Sequence, residues 1–343
     1  MTDQLTNPNP AYDWTSTAPE TAADIAGAAA LLEIGDRLGL LPYLEAGDAT
    51  TSAKLAVASG LPAEGVANYL EALSSAGLVV DAGEGAGSIR LCADYPRIRY
   101  ESGYISWALN ANRPFIENAE VFLRNPAEAR RSHRRDGRQV AVSSEWMGSE
   151  GFYAAALGTI LDAKPEHVVD LGAGTARLLI EILGQVPSAT ATALDLSAGA
   201  CEEARLAGDR AGVGDRLRVV ERSIESVATD PEPLTGADVI HAGFVFHDML
   251  PEQESVADAV LANCREALQP GGIMALTEAV PYVRNDRERR FSAIVTYYHR
   301  QFMGRRLLSV DEWTEKLTTA GFADVRVVQP RFPTGRVFVA TKR

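Results

Sequence analysis

Along the first part of the chain, apolar residues recur at helical spacing. Thr21 to Leu41 is an alanine- and leucine-rich run with little charge, which predicts a helix buried against another helix. Thr51–Ser59 and Ala63–Ala76 predict two more helices about the turn Gly60-Leu61-Pro62. Gly77–Val80 and Ile89–Cys92 read as short strands flanking a glycine-rich turn. Helices, turn and strand pair come in the order of a winged helix-turn-helix. Residues 100–166 read as mostly helical, with Tyr104, Trp107, Leu109, Phe115, Val121 and Phe122 as apolar positions and a basic loop over Pro126 to Arg138.

At His167 the pattern changes. Short apolar runs now alternate with amphipathic stretches. Strands are expected at His167–Leu171, at Ala191–Leu194, at Leu217–Val220, from Ala237 through Phe246, and at Ile273–Leu276. Helices are expected from Ala176, and over Ala198–Ala211, Val256–Leu268, Arg284–Met303 and Val310–Ala320. Asp324–Val328 and Val337–Thr341 close the chain as a strand pair. The alternation predicts an α/β fold, a Rossmann-like doubly wound sheet with an antiparallel final hairpin. The expected division is a flexible arm over 1–20, a winged-helix dimerisation domain over 21–100, a helical linker and substrate cap over 101–166, and a nucleotide-binding domain over 167–343.

Candidate chemistry concentrates after the first strand of that domain. In Asp170-Leu-Gly-Ala-Gly-Thr-Ala176, Gly172 and Gly174 allow a tight turn and close approach of a ligand. The following helix would point its amide-rich end into that bend. Asp195 ends the next apolar run, where a carboxylate can take two ribose hydroxyls. Arg177 stands where a dinucleotide fingerprint needs a small third residue, so a pyrophosphate ligand is disfavoured. This Asp-x-Gly-x-Gly-x-small turn with an acid on the second strand resembles motif I of the S-adenosylmethionine-dependent methyltransferases. The resemblance implies a cofactor held by Asp170, Gly172, Gly174, Asp195, Leu196, Ser223 and Ile224. Ser223 replaces an acid often found there.

The chain has five histidines. His167 and His133 are read as non-catalytic, and His241, inside a strand, as a satisfied core residue. His247 follows the fourth strand of the domain, at the edge that lines a crevice in open α/β sheets. Phe246-His247-Asp248 resembles the His-Asp element of plant-type small-molecule O-methyltransferases, which implies a general base. Tyr297-Tyr298-His299 and Ser309-Val-Asp-Glu-Trp313 resemble a branch that methylates the β-carbon of 2-oxo acids such as phenylpyruvate. That resemblance implies a divalent or trivalent metal ion, iron or zinc, on His247 and His299. It also implies a carboxylate-binding Arg135 and an aromatic pocket residue at Trp107, with Phe244 and Phe302 adding apolar lining. Such an ion would stabilise an enolate, with Asp248 helping the proton transfer. The expected reaction is therefore C-methylation of a hydrophobic 2-oxo acid. The alternative is metal-free O-methylation of a phenol, with His247 as base and Glu278 assisting.

Composition narrows the partners. The 343 residues carry a net charge of −13. Between Lys54 and Arg90 there is no Lys or Arg, while Glu64 and Glu71 occupy the would-be recognition helix. Phosphate contacts dominate DNA affinity, so no nucleic acid is expected and the module is read as mediating a homodimer. Within the basic loop, a solvated surface and an arginine gripping a carboxylate are the two readings. Cys92, Cys201 and Cys264 are scattered and read as reduced thiols. With no apolar span and no signal pattern, the expected location is cytoplasmic, away from membranes.

Overall fold

The computed structural model describes residues 18–283, 289–332 and 334–343. The expected arm up to residue 17, the first residues of the expected 284–303 helix, and Pro333 in the final turn lie outside the described residues. The described chain forms two compact units. One holds residues 18–112 with 136–147; the other holds 113–135 with 148–343. The segment 101–166 is thus shared between them.

The first unit is mainly helical. Its helices Ala18–Arg37, Ser52–Ser59 and Ala63–Ser75 are followed by an antiparallel pair, β1 (Val79–Asp81) and β2 (Ile89–Leu91). Thr51 caps the second helix by accepting from the Lys54 amide, and Gly60 ends it in the left-handed conformation. Leu32, Leu55, Leu73 and Leu78 are at most 1% exposed and centre the core of this unit. A Cβ at Gly35 would stand 2.1 Å from the Tyr69 hydroxyl, so the glycine lets Tyr69 reach the Leu31 carbonyl at 2.9 Å.

The second unit is built on a seven-stranded sheet ordered β5-β4-β3-β6-β7-β9-β8. Its strands are β3 (His167–Leu171), β4 (Thr190–Asp195), β5 (Leu217–Glu221), β6 (Val239–Gly243), β7 (Ile273–Ala279), β8 (Asp324–Val328) and β9 (Gly335–Thr341). The first five are parallel and β9 runs antiparallel to both β7 and β8. β3 is an interior strand and buried on both faces, as its apolar run requires. The order steps from β3 to β4 on one side and from β3 to β6 on the other. The crevice therefore opens at the carboxyl ends of these strands. Among the described residues, no helix is long and apolar enough to cross a membrane.

Four expectations need local correction. The basic segment is no continuous loop, because Pro126–Ser132 is a helix started by its proline. The helix expected from Ala176 begins at Arg177, and Ala176 sits before it at φ 58°. β6 stops at Gly243 rather than running to Phe246, because Phe244 turns to φ 56° and Phe246–Met249 coils into a 3₁₀ turn. The late insertion is α-helical over Arg289–Tyr297 but π-helical over Tyr298–Met303, a local widening often found at functional sites.

Candidate active site

The glycine turn after β3 is tied to β4. Gly172 N and Ala173 N both donate to Leu194 O, at 2.8 and 3.0 Å. Gly172 lies at φ 75°, and a Cβ there would meet Val245 at 2.5 Å. Gly174 lies at φ 55° with open space where a side chain would be. Asp195 accepts from Gly174 N at 2.8 Å and from Ser197 N at 2.9 Å. Those two bonds fix the carboxylate and leave it lone pairs for hydroxyl donors. Leu196 beside it is 71% exposed, an apolar face suited to a planar base. Ser223 precedes the 3₁₀ turn Ile224–Ala228, and Ile224 is buried at the edge of the core. The open turn, the fixed acid and the exposed leucine fit an adenosyl ligand. Asp170 is nearly buried and binds His241 at 2.7 Å.

Four distant segments meet at the reactive end. Glu278, on β7 and fully buried, accepts from Phe246 N at 2.8 Å and His247 N at 3.2 Å with one oxygen. Its other oxygen pairs with His247 Nδ1 at 2.7 Å. This orients the imidazole and aims its Nε2 at Asp248. Nε2 lies 3.1 Å from Asp248, whose same oxygen takes Arg305 at 2.7 Å. The His299 ring stands 4.9 Å from the His247 ring, centroid to centroid, and its Nδ1 bonds Val295 O at 2.7 Å. Arg135 is the fourth contributor, since its charge acts on Asp248 and His299.

The titration of these groups follows from that packing. Burial disfavours a charged His247, but Glu278 and then Asp248 outweigh it and push the imidazole up to about 9. Burial and the neighbouring His247 charge hold His299 well below its ordinary value. Burial also lowers Arg135, with Arg305 adding repulsion and Asp248 opposing it. Burial raises Asp248, but His247, Arg305 and Arg135 together bring it down. Arg135 makes no hydrogen bond or ion pair among the described residues. Two guanidiniums thus share one exposed-side carboxylate, an arrangement that favours a further anion.

The expected metal centre is not supported. The two imidazoles do converge, yet among the described residues no group of three His, Cys, Asp or Glu side chains could hold an ion. Both His247 nitrogens face carboxylates, Glu278 at 2.7 Å and Asp248 at 3.1 Å. Of the expected pocket residues, Phe302 is buried against Phe115, Phe122 and Tyr298. Phe244 is half-buried and packs on Phe152. Trp107 belongs to the first unit, buried on the π-helical turn Ser106–Ala111, whereas the other candidates belong to the second.

Sequence reasoning missed Arg305 and gave Glu278 only an assisting part. An acid at the end of the strand beside the His-Asp element was the available signal for Glu278. Arg305 gave none, because its placement depends on the π turn before it. Arg130, from the basic segment, is structural: it donates to Phe302 O at 3.1 Å and packs on Gly304.

Residues 169–274 match a family described as Methyltransferase domain. That match runs from β3 to the start of β7. Aclacinomycin 10-hydroxylase RdmB of Streptomyces purpurascens is 32% identical over 46% of this chain and 40% of its own length. The 3-hydroxy-5-methyl-1-naphthoate 3-O-methyltransferase of Streptomyces sahachiroi is 27% identical over 51% of this chain and 48% of its own length. The chain thus spans less than half the length of these two curated relatives. A 2,7-dihydroxy-5-methyl-1-naphthoate 7-O-methyltransferase of Streptomyces carzinostaticus is 26% identical over 82% of this chain and 85% of its own length. Among solved structures, the pyocyanin biosynthetic protein PhzM superposes with a TM-score of 0.57 at 20% identity, covering 95% of this chain and 99% of that one. That likeness concerns the fold.

Proposed function

We propose that the protein transfers a methyl group from S-adenosylmethionine to a hydroxyl of an aromatic small molecule that carries a carboxylate. The carrying observation is His247, held at Nδ1 by buried Glu278 and at Nε2 by Asp248, whose same oxygen takes Arg305, with the charge of Arg135 acting on Asp248. Two relatives named as naphthoate O-methyltransferases support the same reading. Bound cofactor supplies the electrophilic methyl group. Asp195 and the Gly172–Gly174 turn hold its adenosyl part. Arg135 and Arg305 hold the substrate's carboxylate, so the hydroxyl is fixed near His247. His247 Nε2, once deprotonated, takes the hydroxyl proton, and Glu278 stabilises the imidazolium that forms. Holding both reactants in contact removes much of the entropic barrier.

A second reading is methylation at the β-carbon of a 2-oxo acid. The His247–His299 approach of 4.9 Å and the unpaired Arg135 favour it. One experiment separates the two: the protein with S-adenosylmethionine and a panel of hydroxyaryl carboxylic acids, their methyl esters and 2-oxo acids, with products read by mass spectrometry and NMR. An O-methyl product from the acids supports the first reading; a new C–CH₃ bond supports the second. A hydroxylated product, as the name of the RdmB relative suggests, would overturn both. We also infer a homodimer through the first unit, where Ile34, Leu38, Tyr43 and Val57 are exposed. Light scattering that gives a monomer mass would refute it.

A further inference from the structure

His241 sits one strand away from the glycine turn and takes no part in the mechanism above. It lies opposite Asp170 in the parallel register of β3 and β6. Its Nδ1 is 2.7 Å from Asp170 Oδ1, and both side chains are 6% exposed. The ring has room because its neighbour is Gly243, where a Cβ would stand 3.2 Å from the ring Cε1. On its far side His241 Nε2 lies 3.5 Å from the Thr277 hydroxyl. A charged or polar pair this deep in a parallel sheet costs desolvation, which apolar residues of the same size would avoid. The pair therefore calls for a use.

Asp170 stands two residues before Gly172, at the carboxyl end of β3 where the crevice opens. One of its oxygens is taken by His241; the other makes no hydrogen bond among the described residues. We propose that His241 is a positioning residue for the cofactor: it clamps one oxygen of Asp170 so that the other faces the ammonium end of the methyl donor. This rests on the cofactor reading above. Without the clamp, Asp170 would be free to rotate, and the acid side of the cofactor cradle would be lost. β6 carries His241 and leads into Phe244 and His247, so the same strand orders both halves of the crevice.

The test compares two amides that differ by one methylene in the whole protein, with S-adenosylhomocysteine and S-adenosylmethionine binding followed by calorimetry. In His241→Asn the amide nitrogen falls near the place of Nδ1 and the clamp is kept. In His241→Gln the amide reaches past it and the clamp is lost. The expected result is binding within about threefold of wild type for Asn and roughly tenfold weaker for Gln, the usual size of one lost bond to a charged group. Melting temperatures of the two variants should agree. Equal affinities for both variants would overturn the proposal. So would a His241→Gln protein that loses its fold along with its binding, since His241 would then be a packing residue only. If wild-type protein bound neither ligand, the cofactor reading itself would fall first.

Discussion

The two halves of the crevice are built in opposite ways. The half proposed to hold the cofactor comes from one stretch of chain, from β3 through its glycine turn to the end of β4, and its bonds run mostly through the backbone. Gly172, Gly174, Asp195 and Ser197 satisfy one another within 26 positions of sequence, Gly172 to Ser197. The half proposed to be reactive gathers Arg135, His247, Glu278, and His299 with Arg305, from four separate segments of the chain. Its interactions are between charged side chains in a desolvated place. A local backbone cradle tolerates side-chain change, whereas a desolvated charge cluster fails when one member is lost.

That contrast yields an ordered set of expectations. The largest effect belongs to His247→Gln: turnover should fall by about a thousandfold, while S-adenosylhomocysteine affinity measured by calorimetry stays within about twofold of wild type. A matching loss of cofactor affinity would show that the two halves are not separable. Glu278→Gln comes next. Its amide would present a donor toward His247 Nδ1 and favour the wrong tautomer, so kcat should drop by about 10² to 10³. In the cofactor half, Asp195→Ala should raise the S-adenosylmethionine KM by about 10- to 100-fold and leave kcat at saturation nearly unchanged. Arg135→Met should raise KM by about tenfold for a carboxylate substrate and hardly at all for its methyl ester.

The smallest expectation concerns pH. His247 acts as a base only when neutral, and its neighbours raise it to about 9, so kcat/KM should climb with pH and level off above about 9. The same shift has a thermodynamic sign. A histidine raised in the folded state stabilises the protein fully below its ordinary value, and loses that contribution as pH rises through the folded value. Stability should therefore decline between the ordinary 6.5 and about 9, as followed by urea midpoints. A midpoint that rises across this window would mean that Glu278 and Asp248 do not hold the proton on His247.

Much of the fold was legible because its signals are local. Apolar runs of strand length, separated by amphipathic helices, favour a parallel sheet with right-handed crossovers, and β3 to β7 form the parallel part. Motif residues in one turn were legible for the same reason: Gly172 and Gly174 both lie at positive φ where the bend demands it. Phe244 broke the strand reading because an aromatic residue at positive φ carries no mark in the sequence. His241 looked like an ordinary core residue because its partner Asp170 lies 71 positions away.

The sequence by itself determined the order of strands and helices, the glycine turn and the histidines available at the sheet's carboxyl edge, since each depends on neighbours a few residues apart. Tertiary structure alone decided that His247 is held by the buried Glu278, that Arg305 pairs with Asp248, and that the charge of Arg135 acts on the same carboxylate. Those outcomes depend on distances and desolvation between remote segments, and a charge takes its character from what surrounds it.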